Sequence, residues 1–415
     1  MTSQLSSAKS VSNVLPPGVA TPYKLSFLNK PVPRTGRLVS VFASATSGDN
    51  VPPGGNIRFS IPGKNFLDMQ NGFIKFRYRA KSSVLNGGNI GPFPFSSYLI
   101  NRWSTSIGGR QMDLIQQYGD FYQVMMNNNC PYDYASKDGN VLEAFDREDI
   151  GNATANNWSD YVEMVWTLPS ILSGDKCLPL LTVDGTIEIS IDLIDANKLK
   201  STDAFTFEVS QARLYYDILR TDDTFNIDWR TQAMTNMIKH PYVSIMGANF
   251  SLAANQNTFS QNIGFSAKSV LGVLMAIKQN DELDTRDYKN YGFQSATYRV
   301  DSLTTPTYTI DGNISAFAEL QKMYSNLFDV DATSLIDYLR YSGGSSTIQS
   351  KFSLGLNLNR FQDSSMISTG TPVTRGIEIE AKFSSVPTAG AQVYVWVVYE
   401  QELEIDPMGN VSVNK

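Results

Sequence analysis

Carboxylates on strand-like segments are the side chains in this chain that come nearest to a catalytic arrangement. Glu188, Glu378 and Glu380 each lie where apolar and polar residues alternate. Two carboxylates on either side of a glycosidic bond are enough for glycoside hydrolysis. Alternation along a strand, however, places Glu378 and Glu380 on one face and Ile377 and Ile379 on the other. This pattern is typical of a solvated strand face, so we expect these carboxylates to have no catalytic role.

The single histidine limits the possible chemistry further. His240 stands beside Lys239 and Pro241, in a stretch that we predict to link two domains. A histidine in a linker does not serve a catalytic triad, and one histidine cannot build a multi-histidine zinc site. Nucleophile-elbow, P-loop and dinucleotide-binding motifs are also missing from the sequence.

Thiol and metal motifs are equally scarce. Cys130 and Cys177 match no C-x-x-C or zinc spacing, and two thiols in 415 residues fit a reducing compartment, with a single disulfide as the alternative. Asp329 and Asp331 resemble the start of a calcium loop, but the glycine and the final glutamate of such a loop do not follow. We therefore expect no cofactor, no metal site and no enzymatic activity.

Charge separates the N-terminal segment from the rest of the chain. The net charge is −6, yet the first 48 residues contain five cations and no acidic residue, which leaves −11 for the remainder. A basic segment on an acidic body is expected to contact an anionic partner such as lipid, nucleic acid or a neighbouring subunit. A short solvated tail is the alternative interpretation.

Residues 1–35 also contain five prolines, which fix the backbone and remove hydrogen-bond donors, so they predict an extended arm. The arm carries the side chains that we predict to contact other subunits or an internal membrane. These candidate inter-subunit residues are Lys9, Tyr23, Lys24, Phe27, Lys30 and Arg34.

A second basic group lies within the body of the protein, on strand-like segments that we expect to be neighbours. Its members are Arg58, Lys75, Arg77, Arg79 and Lys81. Because the body is acidic overall, the sequence predicts no specific nucleic-acid recognition there. A contact with an acidic neighbouring subunit is the functional interpretation, and a solvated face is the alternative.

Strand-like segments greatly outnumber helical ones, and no strand–helix–strand rhythm appears, so the sequence predicts an all-β fold. Val270–Ile277 is apolar throughout, as in a strand buried on both faces, and is too short to span a membrane. The N-terminus lacks the apolar run of a signal peptide. Short helices are predicted at 117–126, 314–328 and 334–341, and the polar stretch 128–157 is predicted to be an exterior loop.

One strand pattern occurs twice, about 190 residues apart. Residues 185–220 and 376–406 each contain an alternating strand, a loop and a long aromatic-rich strand. The predicted organisation is an arm at 1–35, a first sandwich at 36–220, a linker at 221–241, a second sandwich at 242–406 and a tail at 407–415.

A family resemblance follows from three segments. Phe66–Phe76, Leu99–Tyr118 and the closing strand Val393–Ile405 with its acidic end are similar to double jelly-roll major capsid proteins. That group includes tailless phages with internal membranes, Polinton-like viruses and adenovirus-like DNA viruses. The resemblance implies two tandem eight-stranded jelly-roll β-sandwiches with a few short covering helices.

The resemblance also implies a function. Three copies would form a homotrimeric, pseudo-hexagonal capsomer that tiles an icosahedral shell around the genome, in some members around an internal membrane. The implied partners are neighbouring capsomers, penton proteins and minor capsid proteins, in the virion and, during assembly, inside the host cell. The alternative is a carbohydrate-binding or glycoside-hydrolysing β-sandwich, which would cluster aromatic residues beside carboxylates. The five tryptophans are instead scattered along the chain.

Overall fold

The computed structural model describes most of the chain and leaves out the predicted arm. The described residues are 37–63, 66–82, 95–129, 142–143, 157–173, 177–183, 185–199, 205–221, 223–280, 287–328, 338–343, 350–359, 370–385, 387 and 389–415. Strands dominate these ranges, and all four sheets are antiparallel, which confirms the predicted all-β class.

The first half of the chain contributes two facing sheets. Its strands are β1 (Arg37–Ser44), β2 (Asn50–Val51), β3 (Asn56–Pro62), β4 (Phe66–Ser82), β5 (Ile100–Ile107), β6 (Arg110–Gln116), β7 (Val162–Thr167), β8 (Leu178–Pro179), β9 (Thr186–Leu193) and β10 (Phe205–Arg220). One sheet has the order β1-β10-β4-β7, with β2 and β8 at its margins, and the other has the order β3-β9-β5-β6.

The second half repeats the arrangement. Its strands are β11 (Ile238–Leu252), β12 (Thr258–Ile263), β13 (Ala267–Gln279), β14 (Phe293–Val300), β15 (Leu303–Thr304), β16 (Ile310–Asp311), β17 (Ser353–Asn357), β18 (Thr371–Val373), β19 (Ile377–Phe383), β20 (Ala391–Ile405) and β21 (Val411–Asn414). The sheet orders are β11-β20-β13-β17 and β12-β19-β14-β15, with β16, β18 and β21 as additional short strands.

The two halves have the same topology. When the eight main strands of each half are numbered along the chain, one sheet reads 1-8-3-6 and the other reads 2-7-4-5 in both halves. This order is that of an eight-stranded jelly roll, in which the last strand returns beside the first. The predicted duplication of one β design is therefore confirmed.

Alternation along the strands builds each core. On β4, Ile74, Phe76 and Tyr78 are buried between the sheets, whereas Lys75 and Arg77 point outward. The stretch Val270–Ile277 on β13 is buried at every position, as the sequence predicts. A strand of this kind needs cover on both faces, and the outer cover comes from the first half of the chain.

Four α-helices accompany the sheets in the described residues. They are α1 (Tyr118–Asn129), α2 (Asp223–Ala233), α3 (Gly312–Phe328) and α4 (Tyr338–Tyr341). The predicted helices at 117–126 and 314–328 are confirmed, and the one predicted at 334–341 is described from Tyr338 onward. Because α1 and α3 both follow the fifth strand of their half, they are topological equivalents.

The chain between the halves differs from the predicted linker. Residues 221–241 contain α2 and the start of β11, and His240 is a buried residue of β11. Pro241 was expected to end a connecting segment. It is tolerated within the strand because β11 is an edge strand, and an edge position requires no ladder donor on its outer side.

The C-terminal residues 407–415 also differ from the predicted tail, because they contain β21, which pairs with β20. The Asp406 carboxylate accepts hydrogen bonds from the Met408 and Asn410 N–H groups, both at 2.8 Å, and so closes the turn between the two strands.

The predicted exterior loop is described only at residues 128–129, 142–143 and 157. Within it, Glu143 is buried rather than exterior: its carboxylate accepts a hydrogen bond from the Tyr122 hydroxyl at 2.8 Å, and its carbonyl oxygen accepts one from the Ser96 N–H at 2.7 Å. These partners compensate for the removal of the carboxylate from water. Asn128 is also buried, because residues 128–129 belong to α1 and not to a loop. The position of the loop residues outside the described ranges stays a prediction. No helix among the described residues combines the length and the apolar character of a membrane span.

Candidate assembly surfaces

The junction between the two halves is formed by two edge strands, β6 of the first half and β11 of the second. The Tyr242 hydroxyl on β11 donates to the Met112 carbonyl oxygen on β6 at 3.1 Å. Gly247 lies so close to the Gln116 carbonyl oxygen that a Cβ atom there would overlap it. The halves therefore meet at backbone-to-backbone distance, where no side chain fits between them.

A buried carboxylate lies inside this junction. Asp113 on β6 is 2% exposed and accepts hydrogen bonds from the hydroxyls of Ser244, at 2.5 Å, and Ser170, at 2.7 Å. Burial raises the pKa of Asp113 to about 6, although the two serine hydroxyls oppose the shift because they stabilise the charged form. The junction thus contains an acid that titrates near neutral pH.

Helix α1 packs against both halves. Tyr118 belongs to the first core, whereas the Phe121 ring meets Trp396 of β20 edge-on at 5.7 Å. Near the start of the helix, the Asp120 carboxylate lies 3.4 Å from the Lys278 ammonium on β13. Through these contacts α1 covers the outer face of the sheet β11-β20-β13-β17, which explains why β13 is buried on both sides.

The equivalent outer face of the first half lacks such a cover among the described residues. On the sheet β1-β10-β4-β7, Phe42 is 57% exposed, and its ring centroid lies 5.9 Å from that of Tyr215. Phe73 stacks on the other side of Tyr215 at 5.0 Å, and the Arg213 guanidinium lies over Phe42. We call this surface, defined by Phe42, Phe73, Arg213 and Tyr215, the bare face.

The predicted basic group lies partly beside the bare face, where carboxylates of the same chain compensate its charge. The Glu163 carboxylate forms ion pairs with the Lys75 ammonium at 2.7 Å and with the Arg77 guanidinium at 3.2 Å. These two cations lower the pKa of Glu163. Arg79 pairs with Glu208 at 2.5 Å.

For one member of the predicted basic group, the prediction of a position on a neighbouring strand is wrong. Arg58 lies on β3, in the opposite sheet of the first jelly roll, and donates to Asn56. The reason is connectivity: β3 and β4 are consecutive in sequence but belong to different sheets of a jelly roll. The interpretation as a contact for an acidic neighbour therefore loses support, because three of the cations already have carboxylate partners.

A second exposed apolar surface lies on the other half. Leu303 of β15 is 72% exposed, Ile314 at the start of α3 is 73% exposed, and Tyr308 between them is 49% exposed. We call these three residues the exposed edge. By strand order it corresponds to β6 and the start of α1, the elements with which the first half contacts the second.

Comparisons with known proteins show a likeness in structure alone. No protein-family model and no curated protein matches the sequence. The capsid of the PBCV-1 virus superposes with a TM-score of 0.59 at 10% identity, with 91% of this chain and 97% of that chain covered. The fold is the double jelly roll. The Faustovirus major capsid protein (TM-score 0.58, 8% identity, 89% and 90% covered) and the mavirus major capsid protein (0.54, 10%, 91% and 90%) agree with this result.

On the double jelly roll, the carboxylates considered for catalysis lie on solvated strand faces. Glu188 is exposed on β9. Arg299 lies 3.0 Å from Glu378 and 3.7 Å from Glu380, so one guanidinium bridges both acids. The predicted position of these carboxylates on solvated strand faces agrees with this arrangement.

The structure describes one of the predicted thiol residues but neither the predicted calcium-loop residues nor the arm residues. Cys177 is a free, partly buried thiol, and burial raises its pKa to about 11. Among the described residues no group of three potential metal ligands converges. Several predicted residues lie outside the described ranges: Cys130, Asp329, Asp331 and the arm residues Lys9, Tyr23, Lys24, Phe27, Lys30 and Arg34.

The sequence-based prediction did not identify the bare face or the exposed edge. A sequence signal for the bare face is present in β1. Val39, Val41 and Ala43 point inward, and Phe42 points outward on the same face as Ser40 and Ser44. An aromatic residue at an outward position of an alternating strand indicates a surface with a partner. The exposed edge carries no comparable signal, because β15 and β16 are two residues long each.

Proposed function

We propose that this chain is the subunit of a viral major capsid, that three copies form a pseudo-hexagonal capsomer, and that such capsomers tile an icosahedral shell in the virion. The double jelly-roll fold, which the chain shares with the capsid proteins of PBCV-1, Faustovirus and mavirus, supports this proposal. The observation that supports the trimer is that the equivalent outer sheet faces of the two halves differ in exposure. The outer face of the second half is covered by α1, whereas that of the first half is the bare face.

If the junction between the two halves of one chain were repeated between neighbouring copies, the bare face of the first half would also be covered. Within one chain, the fifth strand and the following helix of the first half pack on the first and eighth strands of the second half. The same contact between chains places the exposed edge of one copy on the bare face of the next. Each copy has one surface of each kind, so the contact is heterologous and generates a ring. Three copies supply six jelly rolls, and the ring closes when each junction, within a chain or between chains, rotates one jelly roll by about 60° relative to the next.

One surface has a groove beside it, and the other carries a side chain that is exposed to solvent. A groove of about 350 Å³ lies beside the bare face, lined in part by Arg77, Tyr161 and Arg213. Ile314 projects from the exposed edge at the start of α3. An apolar side chain that enters such a depression is the usual anchor of a protein interface. We therefore expect Ile314 to occupy the groove of the neighbouring copy.

The arm would connect capsomers. Arg37, the first described residue, pairs with Arg220 at the end of β10, so the arm leaves the body close to the start of α2. Ile227 and Met234 on or just after α2 are 63% and 68% exposed, and Met237 is 42% exposed. This apolar stripe is the expected docking site for Tyr23 and Phe27 of a neighbouring copy, with the arm cations on acidic surfaces or on an internal membrane.

We further propose that the protein has no catalytic role. A glycosidase requires two carboxylates that face one substrate. The described candidates, Glu378 and Glu380, share one face with Arg299 between them. The glycoside-hydrolysing alternative therefore finds no support in the described residues.

Light scattering with charge substitutions tests the proposed trimer. The wild-type protein is expected to have three times the monomer mass of 46.0 kDa. Ile314→Lys and Phe42→Lys should each yield monomers with unchanged melting temperature, because each places a positive charge beside the Arg213 guanidinium in the interface and none in the core.

Met408→Asp is the matched control, because Met408 is 88% exposed and belongs to neither surface. This variant should remain a trimer. A monomeric wild-type protein would contradict the capsomer, whereas trimers in both interface variants would show that the copies meet through other surfaces.

A further inference from the structure

A polar cleft opens between the two halves at one end of the molecule. Gln117 follows the fifth strand of the first half, Asn197 follows its seventh strand, and Asn280 follows the third strand of the second half. In a jelly roll the loops after odd-numbered strands lie at the same end, so both halves present the same end here. The volume of the cleft is about 360 Å³, within the size range of sites for small ligands.

An ion pair forms the floor of the cleft, and the hydroxyls of two buried tyrosines hold it in place. The Lys278 ammonium lies 3.4 Å from the Asp120 carboxylate and also contacts the Tyr98 hydroxyl. The Tyr288 hydroxyl donates to Asp120 at 2.9 Å. The side chains of Lys278 and Asp120 are 11% and 10% exposed, so the two charges compensate each other at the bottom of the cleft.

Side-chain amides dominate the walls. Seven of the thirteen lining residues are asparagine or glutamine: Asn101, Gln117, Asn197, Asn249, Gln279, Asn280 and Gln392. Some are held in place, since Gln392 donates to Asn280 at 3.3 Å and the Tyr291 hydroxyl donates to Gln279 at 3.0 Å.

Other amides of the cleft have unused hydrogen-bonding capacity. Within the described part of the chain, the side chains of Asn101, Asn197 and Asn249 make no hydrogen bond. The Gln117 Oε1 atom is buried and also lacks a partner among the described residues. The backbone of Gln117 has a φ of 48°, a left-handed conformation that is costly for a residue other than glycine. A strained residue with an unsatisfied acceptor in a cleft is typical of a ligand site.

We propose that this cleft binds a neutral saccharide of one or two sugar units. Sugar hydroxyls both donate and accept hydrogen bonds, which suits amides that do the same. The ring of Tyr394 supplies the apolar surface that a sugar ring needs, whereas the Tyr98 ring is 2% exposed and lies against the Lys278 ammonium. The Lys278–Asp120 pair leaves no net charge on the floor. Lys198 also lines the cleft, but its side chain is exposed, so water weakens its attraction for an anion. A single carboxylate predicts binding without hydrolysis.

Saturation-transfer NMR on the unassembled full chain tests the site, so its outcome does not depend on capsid formation. The probes are the methyl glycosides of glucose, galactose and mannose, with N-acetylneuraminic acid and inorganic phosphate as anionic comparisons. We expect at least one neutral glycoside to bind. The double variant Asn197→Ala, Asn249→Ala should bind it about tenfold more weakly, because two hydrogen bonds of about 0.7 kcal/mol each are lost.

Gln261→Ala is the control, since Gln261 is an exposed amide on β12, outside the cleft, and its substitution should leave binding unchanged. Both variants should keep the wild-type melting temperature, because all three side chains lie at the surface. Saturation transfer to no neutral glycoside, transfer that the double variant retains, or transfer to the anions alone would overturn the proposal.

Discussion

Asp113 is a carboxylate enclosed in the junction, and its ionisation opposes folding. Its pKa of about 6 lies above the ordinary value of 3.8, so the folded state binds the proton more tightly than the unfolded state does. The resulting stability is fully present below pH 3.8 and is lost as the pH rises through 6. A shift of about two units corresponds to about 3 kcal/mol. Asp113→Asn should therefore be more stable than wild type at pH 8 and equal to it near pH 4 in urea unfolding.

Asp301 provides a control of opposite sign. It accepts hydrogen bonds from the Thr374 and Arg375 N–H groups, and these lower its pKa. Its contribution to stability is present above the unfolded pKa and is lost as the pH falls through the folded one. Asp301→Asn should accordingly be less stable than wild type at pH 7, and the difference should shrink in acid. If both variants responded to pH in the same direction, the assignment of Asp113 to a buried site would be wrong.

For single residues, the sequence predicts which face of a strand a side chain occupies, but it does not predict contacts between segments that are far apart in the chain. Alternation correctly placed Glu378 and Glu380 on a solvated face, because a strand offers only two faces. Asp113 also lies in an alternating strand, yet nothing in its neighbours indicates that β11 covers it. Contacts between distant segments leave no local pattern in one sequence.

Close approach of β6 and β11 is the element-scale feature most sensitive to substitution. Gly247→Ala would drive a methyl group into the Gln116 carbonyl oxygen, and neither backbone can move without displacing its sheet. We expect a loss of about 1–3 kcal/mol in the free energy of unfolding, typical of overpacking. Gly264→Ala is the control, because a Cβ there meets nothing within 4 Å. Limited proteolysis should then cut the Gly247 variant between the halves, and equal melting of both variants would show that the halves meet loosely.

Elements with a long, strong period were predictable, and short or context-dependent ones were not. The helical spacing in α1 and the apolar run of β13 lie where the sequence predicts them. The prediction of a helix at 117–126 did not reveal that Phe121 and Val124 belong to the core of the other half. His240 was assigned to a linker because Pro241 follows it, and only the sheet order shows that an edge strand accepts this proline.

For the whole molecule, we expect removal of the arm to separate folding from assembly. A variant that lacks residues 1–30 should form trimers of normal melting temperature, because both described cores are built without the arm. Each exposed charge contact of the arm contributes at most ~1 kcal/mol and is screened beyond about 10 Å at 0.1 M salt. Shells of this variant should fail to close or should fall apart as salt rises. Salt-resistant shells in electron micrographs would show that the arm is a dispensable tail.

The duplication was predictable at the scale of the whole molecule, because each half repeats the order of its strands even though few residues are identical. The relation between the halves was not, because the cover that α1 provides for the second sheet depends on how two finished sandwiches dock. Residues 221–241 and 407–415 contain regular structure that the predicted linker and tail did not include, and the other domain boundaries stay a prediction.

The double-sided burial of β13 has an evolutionary consequence. If the two halves arose from one ancestral jelly roll, the second could accumulate apolar residues on its outer sheet face only after fusion had provided α1 as a permanent neighbour. Each such substitution, as in Val270–Ile277, makes separation more harmful, because a released second half would expose a long apolar strand. Dependence between the halves therefore increases with time, and a return to separate, identical jelly rolls becomes inaccessible.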